Sequence, residues 1–140
     1  MTKTNSILGG GGFHHVAIRV RDYDRSVKFY QDVLGFRTRV TWGTAPKRAI
    51  LLDTGDGNYL EMFERPDQAP ATEEGQIMHI CFRCADVDGV IGRVRQAGCE
   101  VTVEPKDVML GDTPGPVPVR LAFFKGPDGE VIELFANELT

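Results

Sequence analysis

Two short stretches decide the fold that this sequence predicts: His15-Val-Ala-Ile-Arg19 and His79-Ile-Cys-Phe-Arg83. The second begins 64 positions after the first, and the two share a histidine, alternating apolar residues and an arginine. Each is followed by aspartates and then by apolar residues at helical spacing. Because an internal repeat reports a repeated structural unit, both halves of the chain should contain a strand followed by a helix.

Both predicted helices carry residues that favour their ends. Asp22 and Asp86 precede the apolar pattern, where a carboxylate can accept hydrogen bonds from the first free backbone N–H groups. Gly35 and Gly98 follow it, where a left-handed residue commonly ends a helix.

A second repeat lies further along each half, between residues 56–63 and 128–135. Its offset is 72, so eight residues are inserted in the second half, and we assign them to the Pro/Gly-rich loop Gly111–Pro118, whose composition disfavours a central strand. Each half therefore reads as strand, helix and three strands. The predicted elements are 13–21, 23–34, 36–42, 47–53 and 58–64 in the first half, and 77–84, 87–97, 100–103, 119–124 and 130–136 in the second.

This order predicts an α+β fold built from two βαβββ modules. We expect one domain over residues 13–140, with module 1 at 13–64, a linker at 65–76 and module 2 at 77–136, preceded by a flexible tail at 1–12.

Composition limits the kinds of partner that the protein is expected to bind. The 140 residues carry a net charge of −4, which argues against nucleic acid or an anionic membrane surface and favours a small-molecule partner. Residues 1–12 lack the charged and apolar regions of a signal peptide, and no apolar stretch has the length needed to span a membrane. Three cysteines suit reduced thiols, so we expect a cytoplasmic protein.

Strand alternation brings chemically active side chains to one sheet face, opposite to the apolar residues that should pack on the helices. This face is predicted to hold His15, Glu61, His79 and Glu133, together with four residues that would contact a substrate: Arg19, Arg83, Phe63 and Phe135. His14 should share the opposite face with Val16, either in a structural role or as the residue that enters the strand. Cys81 and Cys84 form a Cys-x-x-Cys, but this spacing puts their thiols on opposite strand faces, so a zinc knuckle is not expected.

One histidine and one glutamate from each half make a nitrogen-plus-oxygen donor set, suited to one divalent ion such as Zn, Ni, Co, Fe or Mn. A lone glutamate or histidine on a strand is more often a solvated or satisfied polar residue. The recurrence of the pair at matched positions favours the metal hypothesis.

The sequence resembles the vicinal oxygen chelate superfamily, which includes glyoxalase I. The resemblance rests on His15-Val-x-Ile-x-Val, Ser26, Phe29-Tyr30 and Leu34-Gly35-Phe36, and on the closing segment 126–134. It implies that the modules form a cupped mixed sheet with the helices on its outer face, and that the protein is a homodimer. It also implies metal ligands at His15, Glu61, His79 and Glu133 and a substrate contact at Arg19. The glyoxalases usually have asparagine where this chain has Arg65, and the second signature differs at Met78 and Arg83.

The implied activity is that of a glyoxalase I-like lyase or isomerase. A metal-held enediolate would form as a carboxylate moves a proton between adjacent carbons, with Glu133 as the favoured base and Glu61 as the other candidate. Alternative functions are those of a CoA-thioester epimerase, a dioxygenase, a fosfomycin thiol transferase and a protein that sequesters a small molecule without catalysis. The four ligand positions argue against sequestration.

Overall fold

The computed structural model describes residues 6–7, 13–67, 77–110 and 115–137. Most of the predicted tail and of the predicted linker lies outside these residues, as does part of the predicted loop after residue 110.

Ten elements follow one another in an order that repeats after the fifth. They are β1 (His15–Val20), α1 (Tyr23–Asp32), β2 (Arg37–Trp42), β3 (Ala49–Gly55), β4 (Asn58–Glu64), β5 (Ile80–Arg83), α2 (Val87–Gln96), β6 (Val101–Leu110), β7 (Val117–Lys125) and β8 (Val131–Ala136). Within the described ranges, neither helix has the length and apolar character needed to cross a membrane.

The strands form two four-stranded mixed sheets of identical topology, ordered β1-β4-β3-β2 and β5-β8-β7-β6. In each, the first strand of the module pairs in parallel with the last, and the remaining pairs are antiparallel. The α+β fold of two βαβββ modules is therefore confirmed.

The chain divides into two compact units whose boundary crosses α1. The first unit takes in the described parts of residues 1–24 and 35–68, and the second takes in those of 25–34 and 69–140. Most of α1 thus belongs with the second sheet, although its sequence lies in the first module.

In the first unit one sheet face is apolar and buried. Leu60 and Met62 of β4 are almost completely inaccessible to solvent, as are Ile50 and Leu52 of β3. The alternate residues of β1, beginning with His15, are exposed on the other face. This alternation matches the predicted strand periodicity.

In the second unit both helices contribute to a core over the sheet. Ile91 and Val94 of α2 are buried, and α2 contacts β6, β7 and β8. Phe29 of α1 lies with its ring centroid 6.3 Å from that of Phe124. The Tyr30 hydroxyl, at 0% exposure, donates a 2.6 Å hydrogen bond to Glu130 Oε1.

The predicted helix ends are largely confirmed. The Asp86 carboxylate accepts a hydrogen bond from the Gly89 N–H at 3.0 Å, as an N-cap residue does. Gly35 and Gly98 have φ angles of 75° and 81°, in the left-handed region that glycine adopts without a Cβ clash.

The predicted loop Gly111–Pro118 is wrong at its C-terminal end. β7 begins at Val117, and Pro118 pairs with Met109, so that β6 and β7 extend well beyond the four- and six-residue strands expected. The pairing of β7 with β8 ends at Arg120, so among the described residues Pro118 pairs only with β6. This part of β7 is an edge, where a proline is tolerated better than in a strand paired on both sides.

Candidate metal and substrate site

The second unit brings its predicted histidine and glutamate into contact. His79 Nε2 lies 3.0 Å from Glu133 Oε2. Glu133 is held in β8 between Cys81 of β5 and Phe123 of β7, its two partners in the strand register. The Phe123 ring stands edge-on to the His79 imidazole, with centroids 5.3 Å apart. Glu133 is buried, with 7% of the residue exposed, although it lies on a sheet face.

Cys81 shares this face and is the register partner of Glu133. Much of the residue is exposed, yet burial around its sulfur raises the pKa of the thiol to about 12, with a further contribution from the charge and hydrogen bond of Glu133. The thiol therefore stays protonated beside the carboxylate. All three cysteines are free of disulfides.

The first unit places its pair on one face of adjacent strands. In the parallel register of β1 and β4, His15 is opposite Tyr59 and Ala17 is opposite Glu61. His15 and Glu61 therefore point to the same side, separated by one step of the alternation. The exposed His15 and half-buried Glu61 are both accessible from this face.

His14 differs from its predicted placement. Its backbone carbonyl accepts a hydrogen bond from Tyr59, as expected of a residue that enters the strand. Its ring, however, lies 5.1 Å from the Tyr59 ring, and its Nδ1 is 3.0 Å from Nδ1 of His15. Because His14 precedes the first residue of β1, the strand alternation that assigned it to the apolar face does not constrain it.

The donor chemistry of each pair fits a divalent cation. An imidazole nitrogen and a carboxylate oxygen 3.0 Å apart can both lie about 2.1 Å from one ion, the usual length of bonds from zinc to these donors. Among the residues that the structure describes, no three or more histidine, cysteine or acidic side chains come together as a metal-binding group. One histidine–glutamate pair lies in each unit, and the two pairs are called candidate half-sites below.

The predicted substrate-binding residues lie beside these pairs. Arg19 and Phe63 are partners in the β1–β4 register, and Arg83 and Phe135 are partners in the β5–β8 register. Sequence reasoning missed Phe123, described above, as well as Trp42, whose ring stands edge-on to Phe63 with centroids 6.0 Å apart. Phe123 comes from β7, the neighbour of β8, whereas Trp42 comes from β2, which β3 separates from β4. Finding them requires the strand order and register.

The chain belongs to the glyoxalase/bleomycin resistance protein/dioxygenase superfamily, whose family model matches residues 12–134. This confirms the family resemblance found in the sequence, and the two sheets and two helices agree with the α+β vicinal oxygen chelate fold.

Individual relatives cover nearly the whole chain. The lactoylglutathione lyase of Haemophilus influenzae is 34% identical over 131 residues, which span 90% of this chain and 93% of that protein. A 2-epi-5-epi-valiolone epimerase from an Actinomyces species is 31% identical over 150 residues, spanning 91% and 80% respectively. The crystal structure of a glyoxalase family protein from Enterococcus faecalis superposes with a TM-score of 0.69 at 25% identity, covering 89% of this chain and 97% of that one.

Proposed function

We propose that this protein is a divalent-metal-dependent lyase or isomerase of the glyoxalase I type, acting on a small oxygenated substrate in the cytoplasm. The observation that carries the proposal is the 3.0 Å approach of His79 and Glu133, with His15 and Glu61 on the corresponding strands of the other module. The similarity to lactoylglutathione lyases supports the same reaction class.

In this proposal His15, Glu61, His79 and Glu133 hold one divalent ion of the Zn, Ni, Co, Fe or Mn type. When bound, such an ion supplies Lewis-acid polarisation of substrate oxygens. A four-donor site requires both half-sites to meet, within one chain or between two copies. The family resemblance favours a homodimer in which one copy completes the site of the other.

Glu133 is the proposed base. Its carboxylate is shielded by Phe123 and faces the same side as His79, so it can accept a proton from a substrate carbon and return it to the adjacent carbon. Glu61 is the second candidate, and it is the more accessible of the two carboxylates. Arg19 and Arg83 provide positive charge for substrate oxygens, while Phe63 and Phe135 provide apolar walls.

A second candidate function is epimerisation of a polyhydroxylated ring, favoured by the similarity to the valiolone epimerase. Both reactions begin with removal of a proton next to a carbonyl group. They differ in whether the proton returns to the same carbon or to its neighbour.

The proposal is tested with protein reconstituted separately with each metal and assayed in D₂O. Substrates would be hemithioacetals of glutathione and of other thiols, CoA thioesters and cyclic ketones. We expect metal-dependent turnover in one class, with NMR of the product showing which carbon gained solvent deuterium. Glu133→Gln should lower the rate about 10²- to 10⁴-fold, the usual contribution of a positioned base.

The matched control is Glu104→Gln, which removes an exposed carboxylate paired with Arg95 in the same unit. It should leave the rate unchanged. Turnover that persists at full rate in Glu133→Gln would assign the proton transfer to another group. If no metal binds and none of the substrates reacts, the enzyme proposal fails and sequestration becomes the better explanation.

A further inference from the structure

A pocket of about 350 Å³ in the first unit is rich in cationic side chains. It lies at the C-terminal ends of β1 and β4, next to the loop between β2 and β3. Its walls are formed by Arg19, Lys47, Glu64, Arg65 and Asp67 with two prolines.

The charges of this pocket do not cancel. Its walls carry three cations and two carboxylates, so positive charge is in excess. The Glu64 oxygens already accept hydrogen bonds from Arg48, which also pairs with Asp24, so Asp67 is the pocket carboxylate that Arg48 does not bind. The side chains of Arg19 and Lys47 make no hydrogen bond or ion pair with any residue that the structure describes. Their charges are therefore available to a ligand.

Arg65 is held in place by its own surroundings. Its Nη1 donates a 2.6 Å hydrogen bond to the backbone oxygen of Glu64, and its guanidinium lies 5.7 Å from the centre of the Phe63 ring. The remaining N–H groups of a guanidinium held in this way can form a paired contact with an oxyanion.

Lys47 is positioned by a tight turn. Its N–H donates to the Thr44 carbonyl at 2.7 Å, and Gly43 has a φ angle of 78°. A Cβ at position 43 would lie 2.4 Å from the carbonyl oxygen of Lys47, so the turn closes only around glycine. The turn brings this lysine to the pocket formed by the strand ends.

The pocket adjoins the half-site of the same unit. Arg19 lies on the same face of β1 as His15, two residues beyond Ala17, the register partner of Glu61. Two residues along a strand span about 7 Å. A small molecule that reaches Glu61 can therefore extend one end into the pocket.

We propose that this pocket binds a doubly charged oxyanion, such as a phosphate or phosphonate group, at one end of the substrate. That the anion is one end of a substrate rests on the proposed function. That the pocket binds an anion does not. A zwitterionic amino-acid end, as in glutathione, adds no net negative charge to balance the excess of cations, and its ammonium group would lie near Arg19, Lys47 and Arg65.

The test follows amide chemical shifts of the metal-free, ¹⁵N-labelled protein as inorganic phosphate is added at constant ionic strength. Acetate and glycine are titrated in parallel as a single negative charge and a zwitterion. We expect saturable shifts around Arg19, Lys47 and Arg65 with phosphate, weaker binding of acetate and no saturation with glycine. Arg65→Asn and Lys47→Gln should each raise the phosphate Kd about 5- to 10-fold, the loss expected for one charge-assisted hydrogen bond.

Arg37→Gln is the matched control, since it removes an exposed arginine from β2 of the same unit but not from the pocket. It should leave the Kd unchanged. Equal responses to phosphate and acetate, or a phosphate Kd that Arg65→Asn does not alter, would overturn the proposal. The titration uses metal-free protein, so phosphate binding without metal-dependent turnover would refute the enzyme proposal alone. Turnover without phosphate binding would refute the anion pocket alone.

Discussion

The Glu64 carboxylate is bound almost entirely by one residue, Arg48. It accepts hydrogen bonds from the Arg48 backbone N–H and Nε at Oε2, at 3.1 and 2.9 Å, and from Nη2 at Oε1, at 2.7 Å. Arg48 also pairs with Asp24, and its guanidinium lies 4.3 Å from the centre of the Tyr23 ring. The cluster connects the start of α1 to β3 and β4.

This arrangement predicts a loss of stability in acid. The hydrogen bonds from Arg48 lower the pKa of Glu64 to about 2, from an unfolded value of about 4.3. A carboxyl whose folded pKa is depressed stabilises the fold above its unfolded pKa, and this contribution disappears as the pH falls through the folded value. Glu64→Gln should therefore unfold more easily than wild type at pH 7, with a difference that shrinks between about pH 5 and pH 2.

Urea unfolding at several pH values measures this difference. Glu104→Gln serves as the control, because its exposed ion pair with Arg95 should contribute little at any pH. A wild-type advantage over Glu64→Gln that is constant down to pH 2.5 would show that Arg48 stabilises the fold by packing and not through this charge.

The contact between His79 and Glu133 predicts that each contributes to metal affinity. Losing a second-shell partner alone typically weakens metal binding 10- to 100-fold, so removing a direct ligand by His79→Ala should raise the metal Kd by more than about 100-fold. Competition with a chromophoric chelator measures this Kd without an activity assay. An unchanged Kd in His79→Ala, with Glu104→Gln also unchanged, would exclude this pair as ligands.

The presence of one half-site in each unit predicts complementation between variants if two copies share a site. His15→Ala and His79→Ala should each be inactive. A heterodimer of the two would have one site with both substitutions and one site with neither. If subunits exchange randomly, half of the dimers are heterodimers, and about a quarter of the wild-type activity should return on mixing. A mixture that stays inactive, although mass spectrometry detects heterodimers, would place all four ligands within one chain.

The sequence predicted the fold, and it proposed the ligand positions, because both inferences depend on repetition and alternation. The offset between His15 and His79 identified the modules, and the two-residue period of a strand assigned Glu61 and Glu133 to the same faces as the histidines. Neither inference needs to know which strands are neighbours. The position of His14 was missed because the alternation applies only within the strand.

Features that depend on pairing and on turns could not be read from the sequence. Phe123 lies beside Glu133 through the antiparallel register of β7 and β8, and Lys47 reaches the cationic pocket through the turn at Gly43. Several registers are compatible with the same apolar pattern, and a turn conformation depends on contacts beyond its own residues. The extension of β7 to Pro118 could not be predicted for the same reason. A proline is tolerated in this strand only where β8 no longer pairs with it, and the end of that pairing is not visible in the sequence.

The hydrogen bond from Tyr30 to Glu130 predicts a specific cost when the hydroxyl is removed. Burial raises the pKa values of both groups, so the pair lies in a poorly solvated part of the second unit. Tyr30→Phe keeps the ring but leaves a shielded carboxyl oxygen without this donor, which typically costs about 1–3 kcal/mol. Unfolding by urea or heat should show this loss, while the metal Kd should not change.

Tyr23→Phe is the matched control, because the Tyr23 hydroxyl donates only a long, 3.4 Å hydrogen bond to the Ala49 carbonyl. Its loss should be smaller than that of Tyr30→Phe, since a bond of this length is weak and its acceptor carries no charge. The comparison separates a general effect of removing a tyrosine hydroxyl from the effect of this buried pair. If both variants are destabilised equally, the Tyr30–Glu130 hydrogen bond is not what secures α1 to the turn before β8, and the ring contact between Phe29 and Phe124 becomes the stronger explanation.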